Sequence, residues 1–151
     1  MAGFKGQAEY KVDEKGRVAL PAKMRRAVRP EANDTFVATR GFEQCVFLYP
    51  LDVWEKKEAE MSGLNLYQSE ARDFVRTLLM WAEEGALDGQ SRFSLPKSLL
   101  DFAGLTPKGQ AIIIGALDHI EIWNPEILDA HLNQQAAAYE TLAERVMGGM
   151  R

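Results

Sequence analysis

The chain has 151 residues, 46% of them apolar, and a formal net charge of -4. That apolar share suits a globular core and argues against disorder, while no apolar run approaches the roughly 20 residues of a bilayer span. A single cysteine, Cys45, rules out an intramolecular disulfide. With no charged N-terminal region ahead of an apolar run, the reading is of a soluble cytoplasmic protein without membrane contact, and of Cys45 as a core thiol.

Gln7 to Val12 alternates polar and apolar, which predicts a strand with Ala8, Tyr10 and Val12 on one face. Asp13 to Gly16 is turn chemistry: Asp accepts from nearby amides and Gly tolerates positive φ. Strand pairing resumes at Arg17, with Val18 and Leu20 inward. Pro21 cannot continue a ladder but suits the first turn of a helix, so Ala22 to Val28 is predicted as a short helix stopped by Pro30. Two further strands, Thr35 to Thr39 and Cys45 to Tyr49, flank a turn at Arg40 to Glu43. Pro50 then opens a helix over Leu51 to Met61, broken by Gly63. Ser69 is the expected cap of the next helix, whose Ala71, Phe74, Val75, Leu78, Leu79 and Ala82 recur at helical spacing. Pro125 to Met147 reads as one long helix ended by Gly148-Gly149, with Ile127, Leu128, Leu132, Tyr139, Leu142 and Val146 as its apolar candidates, and its length suggests a subunit-contact arm.

The chain repeats itself. Asp13, Arg17, Leu20 and Pro21 recur as Asp88, Arg92, Leu95 and Pro96 at an offset of 75 residues, and Pro50 recurs as Pro125. At the same offset Ile112 to Ile114 aligns with Val37 to Thr39, the turn Gly115 to His119 with Arg40 to Gln44, and Ile120 to Trp123 with Cys45 to Leu48. Each copy is therefore predicted as strand, turn, strand, short helix, strand, turn, strand, helix, and two copies must share a core because one alone is too small. The expected divisions are repeats at 7–54 and 82–125, linking helices at 55–81 and a C-terminal helix at 126–151, in an α+β architecture.

Charge is distributed unequally between the copies. Residues 1–30 carry Lys5, Lys11, Lys15, Arg17, Lys23, Arg25, Arg26 and Arg29 against Glu9, Asp13 and Glu14, whereas the remainder holds ten basic and nineteen acidic side chains. That is a local basic footprint on an acidic body, or a solvated basic face. Arg17 and Arg92 have two readings of the same kind. Each is a turn clasp for the Asp four residues earlier, or each aims its planar fork at phosphate or guanine edges. Lys15, Lys23, Arg25 and Arg26 favour the second reading for the first copy; in the second, Gln90, Ser98 and Leu100 replace Lys15, Lys23 and Arg25. The candidate DNA-binding residues are thus Lys15, Arg17, Lys23, Arg25, Arg26 and Arg92, with Asp13, Gly16 and Asp88 shaping the turns. Catalytic chemistry is not indicated. His119, placed in a turn, and His131, placed in a helix, have no nucleophile or metal-spaced partner nearby, and no glycine-rich phosphate loop precedes a helix. No enzyme activity, metal or cofactor is expected.

The doubled Asp-x-x-x-Arg with its following Leu-Pro, the run Phe102-Ala103-Gly104-Leu105, the boundary Leu48-Tyr49-Pro50-Leu51 and the helix Arg72 to Leu79 together resemble the MraZ family, bacterial regulators of the division and cell wall gene cluster. The resemblance covers nearly the whole chain. It implies two tandem AbrB-type swapped-hairpin repeats (β-β-α-β-β-α) forming one pseudo-symmetric β-barrel-like core with additional helices. It further implies a ring-shaped homo-oligomer that represses its own operon by binding repeated double-stranded DNA boxes, with Arg17 the foremost contact and a nucleoid-associated location. Ser91 stands where many members have glycine, which implies a second turn of different shape. The alternative is a ring-forming scaffold for a protein partner, touching DNA only incidentally.

Overall fold

The computed structural model describes residues 3–135 and 137–149. In the first half, β1 (Gln7–Lys11), β2 (Arg17–Ala19), α1 (Ala22–Ala27), β3 (Thr35–Arg40), β4 (Val46–Pro50) and α2 (Leu51–Ser62) follow in order, with a short 3-10 turn at Pro30–Ala32. After α3 (Ser69–Met80) the same order returns as β5 (Glu83–Ala86), β6 (Arg92–Ser94), α4 (Lys97–Ala103), β7 (Gln110–Ala116), β8 (His119–Trp123) and α5 (Pro125–Asn133), and α6 (Tyr139–Gly148) closes the chain. Proline marks the entry to the helices as expected: Pro21, Pro50 and Pro96 cap α1, α2 and α4, and Pro125 opens α5.

The strands form a six-stranded antiparallel sheet in the order β1-β7-β8-β4-β3-β5 and a two-stranded ribbon of β2 and β6. This order carries the pseudo-symmetry. β1 of the first copy pairs with β7 of the second, and β5 of the second pairs with β3 of the first, so each copy lends its first strand to the other. The copies are two swapped-hairpin units closed into one barrel-like α+β core.

The sheet is buried on both faces, and strand periodicity sorts its side chains between them. Phe36, Ala38, Val46, Leu48, Ile113, Ile120 and Ile122 join Val18 and Phe93 of the ribbon, Met24 of α1 and Leu99 and Leu100 of α4 in the main core. Val37, Cys45, Phe47, Tyr49 and Trp123 face the other way, onto Trp54 of α2 and Leu128 of α5. Cys45 is fully buried, and its surroundings push its thiol pKa well up, by desolvation above all. Among the described residues no helix is long and apolar enough to cross a membrane.

Four local expectations are corrected. The single C-terminal helix is two helices: Gln134 closes α5 by donating to the Ala130 and His131 carbonyls, and past Leu128 no side chain of α5 is buried to hold it to the body. Ala136, Met150 and Arg151, all within the expected 126–151 helix, lie outside the described residues. Ser69 is the first helical residue of α3, with Gln68 at the cap position and no side-chain cap bond. His119 is in strand β8, leaving Leu117 and Asp118 as the turn. The apolar stripe of α3 holds its expected spacing only as far as Leu79, because the helix ends at Met80 and leaves Ala82 beyond it; none of its side chains is fully buried, and Phe74 and Leu79 are 45% and 42% exposed.

Candidate nucleic-acid interface

Asp13 builds the first turn with both carboxylate oxygens. Oδ1 accepts the amides of Lys15 (2.9 Å) and Arg17 (2.8 Å), and Oδ2 accepts Arg17 Nε at 2.6 Å. The Asp13 amide donates back to the Arg17 carbonyl, and buried Gly16 passes through φ +78° where a side chain would be strained.

The second turn is a copy. Asp88 Oδ1 accepts the amides of Gln90 (2.9 Å) and Arg92 (3.0 Å), Oδ2 accepts Arg92 Nε at 2.9 Å, and the Asp88 amide donates to the Arg92 carbonyl. Ser91 takes φ +60°, so the change from glycine leaves the turn's shape intact, contrary to expectation, at the cost of a left-handed serine. Hydrogen bonding to the charged form holds both carboxyls below the usual value of 3.8. For Asp13 burial alone would raise it, and the amide and guanidinium of Arg17 together with the Lys15 amide outweigh that; for Asp88 the Arg92 amide leads.

The ribbon joins the two turns. Val18 stands opposite Phe93, Gly16 accepts the Leu95 amide and Ser91 accepts the Leu20 amide, so each turn receives the end of the other copy's strand. Arg92 Nη1 reaches Asp13 Oδ2 at 3.3 Å and Arg17 Nη1 lies 3.8 Å from Asp88 Oδ2. The four motif residues are thus a crossed quartet in which the two arginines are only 26% and 24% exposed. The clasp is present, and it ties one copy to the other.

Around the quartet stand exposed cations. Lys15 is exposed in the first turn, and α1, anchored by buried Met24, exposes Lys23, Arg25 and Arg26. Arg25 is steadied by donating Nε to the Leu20 carbonyl at 3.2 Å. Arg25 and Arg26 line one shallow depression with Asp88 and Ser91, which sets the basic helix of the first copy beside the turn of the second. Lys23 and Arg26 line another with Lys5. Lys5, counted in the basic footprint of residues 1–30, is not among the candidate DNA-binding residues of the sequence, and Lys108 is named in neither. The Lys108 amide donates to the Val12 carbonyl and its Nζ pairs with Glu14 at 3.2 Å, which places it at the first turn through strand exchange, without a local motif to mark it. Lys97 is paired with Asp101. Among the described residues no cluster of His, Cys, Asp and Glu could hold a metal ion.

The comparisons agree with the duplicated geometry. A family model described as "MraZ protein, putative antitoxin-like" matches twice in succession, over residues 4–77 and 78–148. The chain is 40% identical over 144 residues to the transcriptional regulator MraZ of Natranaerobius thermophilus, covering 95% of this chain and 96% of that one. It is 36% identical over 140 residues to the protein of the same name from Halothermothrix orenii (93% and 94% covered), and 37% over 144 residues to that of Syntrophomonas wolfei (95% and 96% covered).

Proposed function

The chain belongs to the MraZ family, and on that premise we propose that it is a transcriptional regulator that binds double-stranded DNA through the cations gathered around its joined hairpin turns. The names of its relatives support regulation of transcription and point to no enzyme. The observation that carries the DNA-binding part is the distribution of charge: Lys15, Arg25 and Arg26 are exposed beside the quartet, and Lys23 on the same helix as the two arginines, on a chain whose net charge is negative. Phosphates would be met by these four, and base edges by the guanidinium nitrogens of Arg17 and Arg92 not engaged by Asp13 and Asp88. Reading is then by paired β-hairpin turns and the adjoining helix.

The finer reading is a repressor of its own division and cell wall operon, acting at the nucleoid as a homo-oligomeric ring on repeated boxes. Assembly is supported by α6, whose Tyr139, Val146 and Met147 are mostly exposed in the single chain. Several hairpin pairs facing several boxes convert weak contacts into avidity. The test is a mobility shift on the upstream fragment with unrelated DNA as competitor. Arg17→Ala and the double change Arg25→Ala with Arg26→Ala should each abolish the specific shift without altering the sedimentation of the protein. Undiminished binding would refute the assignment, and binding competed equally by any DNA would favour the scaffold instead.

A further inference from the structure

On the face of the sheet away from the ribbon, α2, α3 and strands β4 and β8 line a half-open cavity of about 530 Å³, within the range of small-molecule sites. DNA binding as proposed makes no use of it. Its walls are aromatic and apolar: Phe47, Tyr49, Trp54, Phe74 and Leu78 line it, and the His119 ring packs 4.4 Å from that of Phe47 and 5.2 Å from that of Tyr49.

The polar groups of the cavity are predominantly acidic, four carboxylates against Lys57 and His119. Two carboxylates are already satisfied. Asp118 accepts from Lys57 at 2.9 Å and from His119 at 2.8 Å, and Glu121 accepts from Trp123 Nε1 at 2.9 Å. Glu43 and Glu60 line the cavity too, are solvent-exposed, and have no side-chain partner among the described residues. The site also shows what it accommodates, since the Lys57 ammonium stands 6.0 Å from the Tyr49 ring centre while paired to Asp118, the arrangement in which an aromatic face attracts a cation.

We propose that this cavity binds a small organic cation with an apolar body. The body lies against Phe47, Trp54, Phe74 and Leu78, and an ammonium or guanidinium head rests by Glu43 and Glu60. Charge complementarity sets the class: unpaired carboxylates beside apolar walls repel an organic anion and give a neutral compound of the same shape no electrostatic gain. The proposal is independent of the DNA-binding reading.

Calorimetric titration of the full-length protein with phenylbutylamine, phenylbutanol and phenylbutyrate tests it, because the three probes share a phenylalkyl body and carry a cationic, a neutral and an anionic head. The amine should bind saturably and about ten-fold or more tighter than the alcohol, with the carboxylate weakest. The double change Glu43→Gln with Glu60→Gln, at exposed positions, should bring the amine to the level of the alcohol and leave the alcohol unchanged. Phe74→Ala should weaken both the amine and the alcohol. Equal affinity for amine and alcohol overturns the proposal, as does a preference that survives loss of both glutamates. So does the absence of saturable binding by any probe, the result if a second copy of the chain fills the groove.

Discussion

Arg92 Nη1 lies 3.3 Å from Asp13 Oδ2, an ion pair between residues 79 positions apart. Its pseudo-symmetric counterpart, Arg17 to Asp88 at 3.8 Å, is looser. Two turns that each needed only a local Asp and Arg are thereby made one unit, and a disturbance in one must be felt in the other. Asp13→Asn and Arg92→Lys should each lower the urea midpoint, and the double variant should lose less than the two losses added. Amide exchange at Gln90 and Arg92, in the second turn, should quicken in Asp13→Asn. Strictly additive midpoints would mean that the pair across the copies contributes nothing.

Gly16 and Ser91 hold the same left-handed position in the two turns, at φ +78° and +60°. Ser91→Gly should therefore stabilise the protein, by up to about 1 kcal/mol, since it removes the strain of a side chain in that region. The converse change has a second obstacle: a Cβ at Gly16 would stand 2.8 Å from Leu100 Cδ1 and 3.3 Å from the Leu95 carbonyl oxygen. Gly16→Ala should cost roughly 1–3 kcal/mol. Denaturation midpoints of the two variants, moving in opposite directions, check this.

Much of the fold was legible because the signals are local. Each copy's Pro, the Asp-x-x-x-Arg turn and the alternating strands fall in register at one offset, and the elements follow them. The pairing of β1 with β7 is not local, since nothing in Gln7 to Lys11 distinguishes a partner in its own copy from one in the other. For the same reason the cross-copy half of the quartet and the approach of Lys108 to the first turn were hidden. Phe74 and Leu78 show the other limit. A stripe at helical spacing says that a face will be covered, and does not say by what; in α3 the stripe forms one wall of a cavity where a core helix would have buried it. His119, placed in a turn by repeat alignment, begins β8 because Leu117 adopts positive φ and the two-residue turn closes one residue earlier.

If the exposed cations meet phosphates, affinity should fall with salt in proportion to their number. Each phosphate contact contributes a slope of about -0.9 in log affinity against log salt. Arg25→Ala with Arg26→Ala should flatten the slope by about two for the specific fragment. Lys97→Ala should leave it unchanged, because Lys97 is matched by Asp101 at 2.8 Å. Fluorescence anisotropy across a salt series measures both. A slope insensitive to Arg25 and Arg26 would place the DNA elsewhere on the molecule.

His119 is the titrating group most involved with its surroundings. Burial alone would lower its pKa, but the hydrogen bond with Asp118 at 2.8 Å and the charges of Asp118 and Glu121, the latter 3.7 Å from Nε2, prevail and raise it above 6.5. Asp118 is in turn shared with Lys57 on α2, and Tyr49, whose own pKa is pushed up to about 12 mainly by burial, stacks on the imidazole. A group whose pKa is raised on folding stabilises the fold fully below its unfolded value and loses that contribution as pH rises through the folded value. Thermal stability should therefore decline as pH rises from about 6.5, and the decline should be smaller in His119→Gln, which has no proton to release. The His119 ring resonances should titrate with a midpoint above about 6.5. A midpoint below that value, or an identical pH profile in the variant, would mean that Asp118 and Glu121 do not hold the proton on His119.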